Sequence, residues 1–203
     1  MIELTTSYPL MEHFFTIQGE GSHSGRAAYF LRIGGCDVGC AWCDVKESWD
    51  EKAHPNTTIA AMLKSILKSK IDFVVITGGE PAMYDLNPLV DALRAQHIEV
   101  AIETSGAYEV NANIDWICLS PKKFQMPVPS MYPLADEFKV VVFHPSDLQW
   151  AEKQTSMLKS DCKLFLQPEW SKMEQILPLL IDYVKQNPKW RISLQTHKFM
   201  NIP

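Results

Sequence analysis

The segment Cys36-Asp37-Val38-Gly39-Cys40-Ala41-Trp42-Cys43 holds three of the five cysteines of the chain in a CxxxCxxC spacing. Three thiolates this close in sequence can hold three irons of a 4Fe-4S cluster, and the missing fourth thiolate leaves one iron open to an outside ligand. The plainer alternative for the same letters is a zinc loop or a set of buried thiols. Zinc would need a fourth strong ligand, and the one nearby candidate is His54, 11 residues after Cys43. Cys118 and Cys162 sit in or beside apolar runs and read as small core residues. An odd number of cysteines crowded at one loop is unlike a secreted disulfide framework and fits a reducing compartment.

Apolar, β-branched or aromatic runs recur at 27–33, 71–76, 98–102, 114–119, 138–143, 163–166 and 191–194, each reading as a buried strand. Helical patterns lie between several of them. At 57–69, Ile59, Met62, Leu63, Ile66 and Leu67 form one apolar stripe; 87–96 opens on Asn87-Pro88; 146–158 carries a Ser146/Gln149 capping box. A fourth helix follows Ser171, with Glu174 in the same capping relation and Pro178 expected to kink it. Alternation of strand and helix predicts a parallel sheet and the α/β class. Two crossovers look degenerate, 107–113 by shortness and 122–133 by Pro127, Pro129 and Pro133. The expectation is one domain over 1–203, an open partial (β/α) barrel of about six parallel strands.

Most of these runs end in a polar or glycine-containing group: the cysteine loop, Thr77-Gly78-Gly79-Glu80-Pro81, Glu103-Thr104-Ser105-Gly106, Ser120-Pro121-Lys122, Gln167-Pro168-Glu169 and Gln195-Thr196-His197-Lys198. Parallel strands deliver their C-terminal ends to one edge, where ligands bind, so these groups converge. Any one of them alone could be an ordinary polar loop. Gly78-Gly79 allows close backbone approach to a ligand, and Glu80 could accept from an ammonium group. Lys122 with Ser120 offers a cation and a hydroxyl for a carboxylate, and Ser105 a further hydroxyl. Trp42 would place an aromatic surface beside the metal or shield it from water. Ahead of the first strand, Gln18 and Glu20 could read a heterocycle with paired donors and acceptors. Arg32, inside an apolar run, needs an anion, either a structural carboxylate or a substrate one. His197 could donate to a substrate or be a satisfied histidine at a strand end.

With 203 residues and a net charge of -5, the chain lacks the basic face that nonspecific nucleic-acid binding requires, and small molecules are the expected partners. No apolar run approaches the length of about 20 residues needed to cross a bilayer, and the start MIELTTSYPL has no basic segment followed by an apolar one. A soluble, cytoplasmic protein is expected.

Taken together, QGEG, the strand with Arg32, CxxxCxxCD, TGGEP, ETSG, SPK, QPE and QTHK resemble the 7-carboxy-7-deazaguanine synthases, radical S-adenosylmethionine enzymes of queuosine biosynthesis. The resemblance spans 18–203. It implies a lyase that converts 6-carboxy-5,6,7,8-tetrahydropterin to 7-carboxy-7-deazaguanine with loss of ammonia. It also implies a 4Fe-4S cluster on Cys36, Cys40 and Cys43 that cleaves S-adenosylmethionine to a 5'-deoxyadenosyl radical. Gly79, Glu80, Ser105, Ser120, Lys122 and Gln167 would contact the cosubstrate, while Gln18, Glu20, Arg32, Thr77, His197 and the carboxylate of Pro203 would contact the pterin. An external one-electron reductant of flavodoxin or ferredoxin type and a homodimer are implied as well. Magnesium is a further candidate in such enzymes, held by a threonine after Cys-Asp, but here Cys43-Asp44 is followed by Val45. An activase of glycyl-radical proteins would share the cluster and the GGE loop, but has no use for QGEG or for Arg32 at this place.

Overall fold

In the computed structural model, which describes residues 3–203, the chain opens with a long strand, β1 (Ser7–Ile17), paired antiparallel with β2 (Ala27–Ile33). A short β3 (Asn56–Thr58) joins the start of β1. Alternation then sets in: α1 (Ile59–Ser69), β4 (Phe73–Gly78), α2 (Asn87–Arg94), β5 (Glu99–Thr104), β6 (Trp116–Leu119), β7 (Glu137–Val142), α3 (Ser146–Gln154), β8 (Lys163–Pro168), α4 (Met173–Gln186), β9 (Trp190–Ile192) and α5 (Thr196–Met200). All strands belong to one sheet, ordered β3-β1-β2-β4-β5-β6-β7-β8-β9, and those from β2 onward run parallel. The expected α/β class is borne out. The parallel strands number seven rather than about six, because the last short run pairs with β8 as β9. Among the described residues β3 and β9 do not pair, so the sheet stays open.

Strand alternation divides the sheet into two chemically different faces. Leu31, Ile33, Val74, Ile76, Val100, Ile102, Leu119, Phe138, Val140 and Leu166 point to the helices and form one core with residues of α1, α2, α3 and α4. Helix α1 shows why: Ile59, Met62, Leu63 and Ile66 recur at helical spacing, Thr58 caps the first turn by accepting from Ala61 N, and Lys70 closes the end at φ 56°. The opposite face is apolar low down, where Ala28, Phe30, Phe73, Val75 and Ala101 cluster. Toward the C-terminal ends of the strands it turns polar, with Arg32, Thr77, Glu103, Lys139 and Gln167. That gradient is what makes a site possible.

Several local expectations change. The start of α2 is organised by Asp85, whose Oδ1 accepts from Asn87 N and Nδ2, with Leu86 at the N-cap. The Ser146/Gln149 box does not form: the Asp147 carboxylate instead takes the amides of Phe143 and His144, each at 2.8 Å. Helix α4 begins two residues later than Ser171, without a side-chain cap, and runs on past Pro178. The two crossovers on either side of β6 hold no α-helix, as their lengths and prolines foretold. The QTHK group lies largely on the short helix α5 instead of in a loop.

Candidate active site

A cavity of about 260 Å³ opens at the C-terminal edge of the parallel strands. Cys36, Cys40, Cys43, Trp42, Gly79, Glu80, Ser105, Ser120, Lys122 and Gln167 line it, together with Gln18, Glu20, Arg32, Thr77, His197 and Pro203. Every residue singled out from the sequence for the site therefore meets in one place.

The cysteine loop is held from behind by backbone. Gly35 N donates to Ser48 O at 2.7 Å, Cys36 N to Trp49 O at 3.2 Å, and Glu80 N to Gly35 O at 2.8 Å, while Cys43 N turns back to Cys40 O at 3.0 Å. Gly78 and Gly79 serve this stitching more directly than they serve a ligand. A Cβ on Gly78, whose φ is 138°, would strike Ile33 O, and one on Gly79 would strike Gly35 O and crowd the Cys36 Cβ. The double glycine thus lets two strand ends lie backbone to backbone beside the thiols.

Cys36, Cys40 and Cys43 are free thiols. Burial raises Cys36 and Cys40 above the ordinary thiol value, so both are neutral until a metal replaces the proton. No three His, Cys, Asp or Glu side chains among the described residues close around a point that could hold a single ion. Sulfurs on one zinc stand about 4 Å apart, given Zn–S bonds of about 2.3 Å in a tetrahedron. A 4Fe-4S cluster asks for one thiolate per iron, and three cysteines on one loop suit that use. His54 is no fourth ligand: its Nε2 is bound to Glu47 O at 2.8 Å and its ring lies against Gly34.

Glu80 is buried and saturated. Its Oε1 accepts from Thr104 Oγ1 at 2.6 Å and Ala82 N at 3.0 Å, and its Oε2 from Ser105 N at 2.8 Å and Ser105 Oγ at 2.5 Å. The carboxylate expected to meet an ammonium group is thus already the anchor of the Thr104-Ser105 turn. Lys122 Nζ donates to Ser120 O at 2.5 Å and Ser120 Oγ at 2.9 Å, 5.5 Å from the centre of the Trp42 ring. Burial lowers its pKa, opposed by the neighbouring Cys40.

On the other side, Gln18 Oε1 accepts from Glu20 N at 3.0 Å, and Gln18 Nε2 donates to Glu103 Oε1 at 2.9 Å. Arg32 settles its two readings in part: Nε donates to Glu12 Oε1 at 2.7 Å across the β1–β2 pair, and its terminal nitrogens have no protein hydrogen-bond partner among the described residues. His197 lies against Gly19, and burial depresses its pKa, so the imidazole is neutral at pH 7. Pro203 O accepts from Thr16 Oγ1 at 3.3 Å, which brings the C-terminal residues to the cavity wall.

Sequence reasoning missed Lys139, which lines the cavity at 2% exposure and donates to Glu20 Oε2 at 2.5 Å and to Glu103 Oε2 at 3.4 Å. Its only signal was a lysine on the inward register of a buried strand. Asp44 also lines the cavity, where its Oδ2 accepts from Lys198 Nζ at 3.1 Å and Gln195 Nε2 at 3.4 Å.

The Radical SAM superfamily profile matches residues 31–120, the span from β2 through the cysteine loop to Ser120. A 7-carboxy-7-deazaguanine synthase of Flavobacterium psychrophilum is 52% identical over 202 residues, covering all of this chain and 96% of that relative. The chain belongs to the 7-carboxy-7-deazaguanine synthase family. Relatives of the same name from Synechocystis and Escherichia coli are 44% and 32% identical, covering 98% and 96% of this chain and 95% and 99% of theirs. The crystal structure of QueE from Escherichia coli superposes with a TM-score of 0.82 at 31% identity, covering 93% of each chain. As a radical SAM enzyme, a 7-carboxy-7-deazaguanine synthase needs a 4Fe-4S cluster, S-adenosylmethionine and a source of electrons. The cysteine loop and the cavity wall described above fit that equipment. Among the described residues no helix is long and apolar enough to cross a membrane.

Proposed function

We propose that the cavity converts 6-carboxy-5,6,7,8-tetrahydropterin to 7-carboxy-7-deazaguanine and ammonia, within queuosine biosynthesis in the cytoplasm. Substrate and product plus ammonia balance in atoms, so the ring contraction consumes no net oxidant. The observation that carries this reading is the meeting of the thiol loop with a heterocycle-sized set of polar groups in one cavity. Bound on Cys36, Cys40 and Cys43, the cluster with S-adenosylmethionine supplies one-electron, hydrogen-abstracting chemistry that no side chain can provide.

The side chains position and exclude water. Gly79, Glu80, Ser105, Ser120, Lys122, Gln167 and Trp42 surround the cosubstrate: Glu80 fixes the Ser105 hydroxyl, and Lys122 presents its ammonium to a carboxylate. Gln18, Glu20, Thr77, His197 and Pro203 surround the pterin, with the unpaired end of the Arg32 guanidinium facing its carboxylate. Magnesium has fewer donors here than a threonine at 45 would give, since Val45 has no side-chain oxygen and Asp44 Oδ2 already accepts from Lys198 and Gln195. No step is assigned to it.

A single catalytic domain over 1–203 pairs with a second copy, and a flavodoxin- or ferredoxin-type protein delivers the electron. The edge of β1 supports the pairing. Beyond Pro9 no strand among the described residues pairs with the side of β1 away from β2, and Phe15 there is 53% exposed. Anaerobic incubation of reconstituted protein with the carboxytetrahydropterin, S-adenosylmethionine and a reductant should yield the deazaguanine acid by mass analysis. A colourless protein with one tight zinc, or a product of unchanged mass, overturns the reading.

A further inference from the structure

Two carboxylates that line the cavity, Glu20 and Glu103, and a third outside its lining, Glu137, crowd around one buried ammonium, that of Lys139. Lys139 stands on β7 in the middle of the sheet and reaches two of them directly, one ahead of β2 and one on β5. Their remaining oxygens are fixed from other elements. Gln195 Nε2 donates to Glu20 Oε1 at 3.0 Å, Gln18 Nε2 donates to Glu103 Oε1 at 2.9 Å, and Ser22 N donates to Glu137 Oε2 at 2.8 Å. Stability alone does not call for such an arrangement, because a buried ion pair replaced by well-packed apolar groups often leaves stability unchanged or raises it. Its neighbours on the same face, Val141 and Phe165, show that apolar side chains fit there.

We propose that Lys139 is a positioning residue that keeps Glu20 ionised and aimed into the cavity, where the carboxylate accepts N–H donors from the edge of the amino-heterocycle. This deepens the proposed function and rests on it. An edge with an exocyclic amine beside a ring N–H presents two donors, which an ionised carboxylate can accept together; a protonated carboxyl turns one acceptor into a donor and breaks the match.

The electrostatics agree with the geometry. Burial pushes Glu20 up, but the Lys139 charge and hydrogen bond, with those of Gln195 and Gln167, bring its pKa down to about 2. Burial likewise works against the Lys139 charge and is outweighed by Cys118, Glu103, Glu20 and Glu137. The other titratable groups facing the pair include Lys122 beyond β6, the neutral His197 on α5 and Asp44, which shares the Gln195 amide with Glu20. Without Lys139, Glu20 would be a buried carboxyl beside two others, and both influences raise its pKa.

The test is the Kd of 6-carboxypterin, read by fluorescence on cluster-loaded protein from pH 6 to 8.5, for wild type, Lys139→Met and Lys139→Arg. Dividing the variant Kd by the wild-type Kd at each pH cancels the titration of the ligand. For Lys139→Met that ratio should climb as pH falls, by up to about tenfold per unit below the new carboxyl pKa. Lys139→Arg should restore a flat ratio, and KM for S-adenosylmethionine and iron content should stay at wild-type values. A ratio that is flat in Lys139→Met, or a loss confined to thermal stability, overturns the proposal. If Lys139→Met does not fold, Glu20→Gln is compared with Glu20→Gln/Lys139→Met, in which the pair is gone in both: Kd should differ by less than about threefold, coupled residues being non-additive. A further tenfold loss there also overturns it. Wild type that binds 6-carboxypterin but forms no deazaguanine acid refutes the proposed reaction, not the role of Lys139.

Discussion

At the scale of the residue, Glu80 shows how one carboxylate can be more useful as an anchor than as a contact. Both oxygens are committed, to Ala82, Thr104 and Ser105. Glu80→Gln would put an NH2 donor against one of those donors, and a buried donor left without an acceptor costs about 1–3 kcal/mol. For a chain of this size each kcal/mol is worth about 2–4 °C of Tm. Scanning calorimetry should show a fall of that order, and KM for S-adenosylmethionine should rise as Ser105 loosens; an unchanged Tm would mean that the bonds to Glu80 are dispensable. Asp44 and Val45 give a second expectation. With Lys198 on the carboxylate and no hydroxyl at 45, chelating magnesium from the assay should change kcat/KM by less than about threefold, under 1 kcal/mol. A tenfold dependence would show that another oxygen replaces the missing one. The thiols, GGE, SPK and QGEG were legible because each is a polar group at the end or start of an apolar run. Lys139 was not, because a lone lysine in Phe138–Val142 reads as an interruption of the strand until the register shows which face it takes.

At the scale of the element, the site depends on strand ends meeting closely enough to brace a loop that has no regular structure of its own. Gly78 and Gly79 end β4 against Ile33-Gly34-Gly35 at the end of β2, with Gly79 N on Ile33 O at 2.9 Å. Gly79→Ala drives a Cβ into Gly35 O, and overpacking of that kind costs about 1–3 kcal/mol while displacing Cys36. Gly25→Ala is the control. Its φ of 90° strains alanine through the backbone, as that of Gly79 does not, yet nothing lies within 4 Å of the added Cβ. Iron and sulfide analysis after reconstitution should find Gly79→Ala depleted and Gly25→Ala full, although both melt lower; equal iron in the two would detach the double glycine from the cluster loop. The elements themselves were legible where periodicity was clean, as in α1 and the parallel strands. Strand β1 was not, since Pro9, Glu12 and His13 break its apolar pattern and its exposed edge removes the burial that would enforce one. Helix α5 is too short for a helical period to declare itself.

At the scale of the molecule, an open sheet has two edges, and the two are treated differently. The β9 edge is a strand of three residues, too short to template another chain. The β1 edge is longer: β3 covers only Ser7, Tyr8 and Pro9, while the stretch to Ile17 keeps Phe15 and Ile17 at 53% and 36% exposure. Glu12 and His13 on the same stretch are exposed as well, so the edge is amphipathic, which suits a reversible contact with a second copy better than burial in a core. Under the proposed pairing, Phe15→Lys should shift sedimentation from dimer to monomer, because a charge on an exposed strand edge opposes pairing. Tm extrapolated to low protein concentration should move little, since a surface substitution changes stability by about 0.5 kcal/mol or less. A dimer that survives Phe15→Lys places the contact elsewhere. A monomeric variant that retains full turnover would show that each copy carries a complete cavity, as the meeting of β1, the cysteine loop and α5 within one chain requires.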